Sequence, residues 1–223
     1  MKKQVIIVAG GKGKRMKADF PKQFLVVSGK PVLMHTIEKF YTFSKEIGVV
    51  VVLPGPYIKF WQSLCKKYNF KTPHKVVKGG KTRFHSVKNG LKLIGNDCIV
   101  AVHDGVRPLV SNDTLERAFS GAEKNGNAIP VIPVSESIRK IKHNGQSKPV
   151  NRKKYFLVQT PQCFRSDILL KAYEQKYNKH FTDDASVVEA LGEKIHTVEG
   201  NEENIKLTRP FDLKVAEVLL KNW

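Results

Sequence analysis

The chain has 223 residues, 41% of them hydrophobic, which predicts one globular domain with a substantial core. Its formal net charge of +19 favours anionic partners, either polyphosphates or nucleic acid. The three cysteines have no CxxC spacing, the short N-terminal apolar run ends in glycines, and no segment approaches the ~20 apolar residues of a membrane span. These features argue against a disulfide framework, a zinc site, a signal peptide and a membrane anchor, so we expect a cytoplasmic protein.

Short apolar runs alternate along the chain with segments of helical periodicity. Strands are predicted at 5–8, 49–53, 75–77, 98–102 and 128–134. Helical spacing of apolar residues appears at 33–41, 87–94, 115–122, 169–173 and 213–220, with Pro31 predicted as the first residue of one helix and Thr82 as the cap of the next. The alternation predicts a single α/β domain over 1–223, Rossmann-like, with a mostly parallel sheet and helices on both faces.

The first predicted strand is followed by a glycine-rich, cationic loop. Residues 9–16 read Ala-Gly-Gly-Lys-Gly-Lys-Arg-Met, and Pro-Lys-Gln follows at 21–23. Small residues let backbone N–H groups approach phosphate oxygens, while Arg15 and Lys22 supply positive charge. A Rossmann dinucleotide fingerprint needs glycine where Met16 stands, and a Walker loop needs Gly-Lys-Ser/Thr, so both are excluded. The pattern predicts a nucleotidyltransferase-type loop for a polyphosphate.

Two further polar segments lie just after predicted strands, the Gly79-Gly80 turn and the His103-Asp104 pair. Ligands of such sheets bind at the carboxyl ends of the strands, so both segments should converge with the loop that begins at Ala9. A carboxylate at the end of an apolar strand is costly without a partner. For Asp104 that partner is either Mg²⁺ or Arg107 in a salt bridge. His103 is predicted to be structural.

One segment breaks the alternation. Asn144-Gly145 is a signal for a type I′ turn between the short alternating stretches 138–141 and 148–151. We therefore predict a β-hairpin arm at about 135–153, inserted in the α/β domain. An isolated two-stranded ribbon is barely stable in water, so the arm should pack against a second subunit or fold back on its own domain.

Seven sequence blocks, in family order across essentially the whole chain, together resemble 2-C-methyl-D-erythritol 4-phosphate cytidylyltransferases. They are the loop 9–16, Pro21-Lys22-Gln23, Gly79-Gly80-Lys81-Thr82-Arg83 with Ser86, His-Asp-Gly-Val-Arg-Pro at 103–108, Thr160-Pro161-Gln162, Thr-Asp-Asp-Ala-Ser at 182–186 and Asn-Ile-Lys-Leu-Thr-Arg-Pro at 204–210. The resemblance implies that CTP and methylerythritol 4-phosphate react to the cytidine diphosphate derivative and pyrophosphate, a step of non-mevalonate isoprenoid synthesis. It also implies Mg²⁺ dependence and a homodimer whose hairpin arms exchange.

The resemblance further assigns residues to roles. The implied catalytic cations are Arg15, Lys22 and Lys206. The implied nucleotide-binding residues are Ala9, Gly10, Gly11, Gly13, Gly80, Ser86, Asp104 and Gly105, with Asp104 also holding the metal. The implied acceptor-binding residues are Arg107, Ser137, Arg152, Thr182 and Asp183.

Several of these residues have a plainer interpretation. By itself Lys206 fits a solvated strand end, Ser86 an exposed helix serine, Arg152 a basic surface run, and Asp183 a helix N-terminal acid. The chain also departs from the family pattern, with Phe84-His85 where members often carry Gln-Asp, and with serine at 137 where threonine is usual.

Three alternative functions stay open at this point. A ribitol-5-phosphate cytidylyltransferase shares the phosphate loop and differs in its acceptor. A sugar-nucleotide pyrophosphorylase using UTP or GTP would need a larger acceptor domain. A basic nucleic-acid-binding protein would explain the charge, but the lysines are scattered and no nucleic-acid recognition motif is present.

Overall fold

A computed structural model describes residues 1–10 and 21–221. Its strands are β1 (Lys2–Val8), β2 (Val26–Val27), β3 (Lys30–Pro31), β4 (Gly48–Leu53), β5 (Lys75–Lys78), β6 (Cys98–Asp104), β7 (Asn127–Pro133), β8 (Ile138–Ile141), β9 (Ser147–Val150), β10 (Phe156–Val158), β11 (Gln162–Arg165) and β12 (Thr197–Glu199). Its helices are α1 (Val32–Phe43), α2 (Ile58–Lys67), α3 (Arg83–Leu91), α4 (Asn112–Asn125), α5 (Ser166–Ala172), α6 (Asp184–Glu189) and α7 (Pro210–Lys221). Short 3-10 turns lie at Lys22–Phe24, Gly55–Tyr57 and Arg152–Lys154.

The central sheet has the strand order β10-β7-β11-β6-β1-β4-β5, and β12 pairs with β7. Strand β1 lies between β4 and β6 and is parallel to both, and β5 continues the parallel part beside β4. Strands β11 and β10 run antiparallel to their neighbours. The predicted α/β fold with a mostly parallel sheet is therefore confirmed.

Both faces of the sheet are covered by helices, which explains the unbroken apolar run of β1. Val5 and Ile7 pack on one face with side chains of α1, α2 and α4, whereas Ile6 packs on the other with side chains of α3, α5 and α6. Successive strand side chains point to opposite faces, so a strand buried on both sides must be apolar at every position. A third cluster joins α7 to β2 and to the loop after β6.

The predicted strands and helices are all present, with shifted ends. Strand β6 extends through Asp104, so the His103-Asp104 pair ends the strand instead of following it. The prediction that Pro31 begins a helix is wrong, because its ψ of 140° places it at the cap of α1, where its missing N–H costs nothing. Thr82 caps α3 as predicted, accepting from the backbone N–H of His85. That helix ends at Leu91, before the predicted Ile94.

The predicted hairpin arm is present as β8 and β9, paired from Ile138–Val150 to Ile141–Ser147. Its predicted turn type is wrong. A type I′ turn needs positive φ at two central residues, and of Asn144 and Gly145 only the glycine has it, at 80°. The N–H of Lys142 bonds to the carbonyl of Gln146, which encloses a three-residue loop with glycine at its left-handed position.

Across residues 1–10 and 21–221, no helix has both the length and the apolar character that crossing a membrane requires.

Candidate functional site

The carboxyl ends of β1 and β6 line a cleft. Backbone hydrogen bonds join the end of β1 to both of its neighbours, from Ala9 N to Val52 O of β4 at 2.9 Å and from Gly105 N, just after β6, to Val8 O at 2.9 Å. The cleft has a volume of about 460 Å³. Its described lining residues are Val8, Ala9, Gly10, Lys22, Gln23, Gly80, Lys81, Thr82, Arg83, Ser86, Asp104, Val106 and Lys206. The start of the phosphate loop, the glycine turn and Asp104 thus converge as the strand order predicted.

Asp104 is the buried acid of this cleft and is surrounded by cations. Its Oδ2 lies 2.9 Å from Lys206 Nζ and 3.3 Å from Arg107 Nε. Burial alone would raise the pKa of Asp104, but the charges of Lys206, Arg83 and Arg107 outweigh it and hold that pKa well below its ordinary value. The carboxylate is therefore ionised at any pH at which the protein would work.

Lys206 reaches the cleft because the segment that carries it is tied to the end of β6. Asn204 is fully buried and donates from Nδ2 to the backbone carbonyl of Thr160 at 2.8 Å. Its backbone carbonyl accepts from Arg107 Nη1 at 2.6 Å. Leu207 N bonds to Val106 O at 3.0 Å. The interpretation of Lys206 as a solvated strand end is therefore wrong: it lies in no strand and forms an ion pair with Asp104.

Arg107 and His103 stabilise the same corner. The guanidinium of Arg107 is divided between Asp104 and the carbonyl of Asn204, so the salt-bridge interpretation of Asp104 is observed. His103 Nε2 lies 2.9 Å from the carbonyl of Arg107, and burial lowers the pKa of His103 to about 4. The neutral imidazole donates to a backbone carbonyl and is not among the described residues that line the cleft, and its structural role remains a prediction. Binding of an acceptor by Arg107 remains a prediction.

Ser86 stabilises the glycine turn that lines the same cleft as Asp104. Its Oγ accepts from Gly80 N at 3.1 Å and donates to the carbonyl of Thr82 at 2.9 Å, and the side chain is buried. A Cβ at Gly80 would lie 2.4 Å from His85 Cβ, so only glycine fits this close approach. The interpretation of Ser86 as an exposed helix serine is wrong.

Gln23 fixes the entrance of the cleft, a role that the sequence did not reveal. Its buried side chain donates from Nε2 to the carbonyl of Ala9 at 2.7 Å. The backbone N–H of Ala9 is bonded to β4, and Gln23 uses one lone pair of its carbonyl oxygen. The second lone pair of that oxygen is therefore the backbone group of Ala9 that a ligand can bind. Gln23 also holds the 3-10 turn that carries Lys22 against the cleft. The predicted residues Gly11, Gly13 and Arg15 lie outside the described residues.

The predicted acceptor residues do not line the cleft described above. Asp183 caps α6, with Oδ1 accepting from Ser186 N at 2.9 Å and Oδ2 from Gln162 Nε2 at 2.7 Å, which is the helix-terminal interpretation. Ser137 and Arg152 are exposed at the base of the arm, where Arg152 donates to the carbonyl of Ser135. Thr182 precedes the cap of α6 and is exposed.

Comparison with known proteins is decisive at this point. The family model described as IspD, 2-C-methyl-D-erythritol 4-phosphate cytidylyltransferase, matches residues 4–222. This chain belongs to that family. Relatives carrying the same enzyme name include one from Phocaeicola vulgatus, 53% identical over 99% of this chain and 100% of the relative, and one from Clostridium botulinum, 40% identical over 99% and 98%.

Solved structures of family members have the same fold. The Thermus thermophilus cytidylyltransferase is 31% identical, with a TM-score of 0.78 over 99% of this chain and 100% of that one. The Francisella tularensis enzyme is 32% identical, with a TM-score of 0.81 over 98% and 99%. The family match covers nearly the whole chain and does not favour the pyrophosphorylase or nucleic-acid-binding alternatives.

Proposed function

We propose that the protein transfers a cytidylyl group from CTP to 2-C-methyl-D-erythritol 4-phosphate, giving 4-diphosphocytidyl-2-C-methyl-D-erythritol and pyrophosphate in non-mevalonate isoprenoid biosynthesis. The observation that carries the proposal is the cleft of a family member in which the ionised Asp104 experiences the positive charges of Lys206, Arg83 and Arg107, and which Lys22 also lines. A site of this charge suits a triphosphate and its metal.

The reaction needs positioned charge and no covalent nucleophile. An oxygen of the acceptor phosphate attacks the α-phosphorus of CTP, the new P–O bond forms, and the bond to the bridging oxygen of pyrophosphate breaks with its electron pair. Two anions approach and negative charge develops on the transferring group, so fixed cations stabilise the transition state more than the ground state. Lys22 and Lys206 both line the cleft, which supports this role for them, and the family resemblance adds Arg15.

The glycine turn at Gly79-Gly80 is the proposed recognition site for the cytosine base of CTP. Ser86 and Gly80 form a wall of the cleft, and Gly10 faces them, since a Cβ on Gly10 would lie 3.8 Å from Ser86 Oγ. Backbone groups held this close can contact the edge of a pyrimidine without steric bulk. Phe84 packs away from this wall on Tyr173 and Phe181, so the family departure at 84 lies in the core and not on the base.

Mg²⁺ is the proposed cofactor, with Asp104 as its protein ligand. The described residues contain no group of three or more His, Cys, Asp or Glu side chains that could hold a metal by themselves. Mg²⁺ suits such a site, because it is commonly bound by one or two carboxylates together with substrate phosphates. When bound, the ion neutralises phosphate charge during the transfer. The low pKa of Asp104 keeps the ligand deprotonated.

A homodimer formed through the arm is the proposed assembly. Strand β10 is at the edge of the sheet, and Tyr155, Phe156, Leu157 and Val158 are 44–54% exposed, so side chains on both faces of this strand are uncovered. An open apolar edge next to a protruding hairpin is a typical subunit interface. A partner seated there would place exposed Ser137 and Arg152 where they can serve an acceptor site across the interface. A cytoplasmic location remains a sequence prediction.

The test is pyrophosphate release measured with each of the four nucleoside triphosphates and Mg²⁺. Methylerythritol 4-phosphate and ribitol 5-phosphate serve as alternative acceptors. We expect release only with CTP and methylerythritol 4-phosphate. Preference for ribitol 5-phosphate would favour the alternative cytidylyltransferase, and no release with CTP would contradict the proposal. Arg152→Ala should chiefly raise the KM of the acceptor, so an unchanged KM and turnover would remove Arg152 from the site.

A further inference from the structure

A buried ion pair connects the nucleotide cleft to the segment assigned to the acceptor. Arg83, the first residue of α3, donates from Nη1 to Asp184 Oδ1 at 2.8 Å and from Nη2 to Oδ2 at 2.6 Å. The side chain of Asp184 has 0% exposure, whereas that of Arg83 keeps 30%. Arg83 lines the cleft and Asp184 does not, so Asp184 acts on the cleft through Arg83.

The position of Asp184 is strongly determined. In addition to both Arg83 bonds, its Oδ1 accepts from the hydroxyl of Tyr173 at 2.6 Å. A buried ion pair stabilises a fold little better than apolar side chains of the same volume, because both charges must be desolvated. Its two-point geometry does fix the direction of the guanidinium. The pair therefore bears more on the position of Arg83 than on the stability of the fold.

The network has two limbs: the ion pair of the Asp184 carboxylate with Arg83, and a set of hydrogen bonds between Gln162 and the segment that carries Asp184. The N–H groups of Asp184 and Ala185 donate to Gln162 Oε1 at 3.0 and 2.9 Å, and Gln162 Nε2 donates to Asp183 Oδ2 at 2.7 Å. Gln162 lies in β11 opposite Val102 of β6, the strand that ends in Asp104. Thr182 and Asp183 are thereby fixed relative to the metal-binding edge of the sheet.

We infer that Asp184 and Gln162 are positioning residues: the Asp184 carboxylate holds Arg83 in the nucleotide cleft, and Gln162 holds the adjoining Thr182–Asp183 segment, so that both substrates meet in one fixed relation. The inference rests on the proposed function and adds to it residues that touch neither reacting atom. Arg83 also contributes to the positive field at Asp104, which places its charge close to the phosphates that the cleft would receive.

Three substitutions separate the two limbs. Arg83→Lys keeps the charge and loses the two-point contact, Gln162→Leu removes all three hydrogen bonds of the side-chain amide, and Asp184→Asn weakens the ion pair. We expect Arg83→Lys to raise the Kd of CTP about tenfold and Gln162→Leu to raise the KM of the acceptor about tenfold, each leaving the other constant within about twofold. Asp184→Asn should raise the Kd of CTP and leave the KM of the acceptor within about twofold, because Gln162 accepts from backbone N–H groups that this substitution leaves in place. Calorimetry gives the Kd, and pyrophosphate release gives KM and kcat.

Tyr173→Phe is the matched control. It removes a hydrogen bond to the same carboxylate oxygen but leaves both Arg83 bonds, which alone fix the direction of the guanidinium, so it should lower the melting temperature and change Kd and KM by less than about twofold. A second control is Arg165→Lys, in the exposed two-point pair of Arg165 with Asp167, which should change none of these values.

Two results would overturn the inference. One is an Asp184→Asn enzyme with a lower melting temperature but wild-type Kd and KM, which would make the pair purely structural. The other is a Tyr173→Phe enzyme whose constants change as much, which would tie them to stability. If Asp184→Asn does not fold, Arg83→Lys and Gln162→Leu decide alone, and wild-type constants in both would reject the inference. A wild-type protein that neither binds CTP nor releases pyrophosphate would refute the proposed function itself, and the inference with it.

Discussion

Lys206 Nζ forms an ion pair with Asp104 Oδ2 at 2.9 Å, which joins the segment before the C-terminal helix to the end of the central strand β6. The lysine keeps 41% exposure while the aspartate is buried, so the cation faces the cleft and the anion anchors it. Binding of a metal and a triphosphate would bring new partners to both groups. Under the proposed function, this pair is therefore the arrangement of Lys206 and Asp104 before the substrates bind.

Lys206→Ala should lower kcat for pyrophosphate release by about 10²–10³ without loss of fold, because it deletes a fixed charge that matters most as the transition state forms. Lys22→Ala should behave similarly. Circular dichroism and the melting temperature check the fold. Lys214→Ala, which removes an exposed lysine of α7, is the matched control and should keep full activity.

Ser86→Ala should raise the KM of CTP about tenfold, because it leaves the N–H of Gly80 without its acceptor and loosens the turn that faces the base. The control is Ser63→Ala. Ser63 makes the same kind of hydroxyl-to-carbonyl bond on the exposed side of α2, to Phe60 O at 2.7 Å. Equal KM values in the two variants would show that the turn does not contact the nucleotide.

The free energy of unfolding should fall as the pH drops from 6.5 toward 4. Burial lowers the pKa of His103 to about 4, so the unfolded chain takes up this proton first, and stability is lost as the pH falls. The loss from His103 is on the order of 3 kcal/mol by pH 4. Burial lowers the pKa of His35 and His74 as well, so His103→Gln should reduce the slope of denaturant midpoints against pH, not abolish it.

Below pH 4 the further loss of folding stability comes from protonation of the Asp104 carboxylate. Its pKa in the folded protein is depressed, so its contribution is present above the ordinary aspartate pKa near 4 and is lost as the pH falls below it. Asp104→Asn should therefore reduce the dependence of the denaturant midpoint on pH below pH 4. If the midpoint of Asp104→Asn fell as steeply below pH 4 as that of the wild type, the cationic environment of this residue would be contradicted.

Phe156→Glu should produce a monomer in light scattering and raise the KM of the acceptor, because it places a charge in the exposed apolar edge strand that is proposed to meet a second subunit. Phe211→Glu is the control, since Phe211 is a 71% exposed aromatic of α7 and belongs to neither the arm nor β10. A Phe156→Glu protein that keeps the wild-type mass would exclude β10 from the interface.

The amino-acid sequence by itself determined the alternation of strands and helices, the cap at Thr82, the hairpin arm, and the convergence of Ala9, Gly80 and Asp104. These features depend on periodicity, cap chemistry and the rule that parallel strands end at one edge, all of which are local or nearly so. Only the tertiary structure decided the partners: Lys206 with Asp104, Gln23 with Ala9, and Arg83 with Asp184. The partners in each of those pairs are separated along the chain by more residues than a local pattern covers. Asp104, Gln23 and Asp184 are buried, so each needs a protein partner once packing of the core excludes water from it.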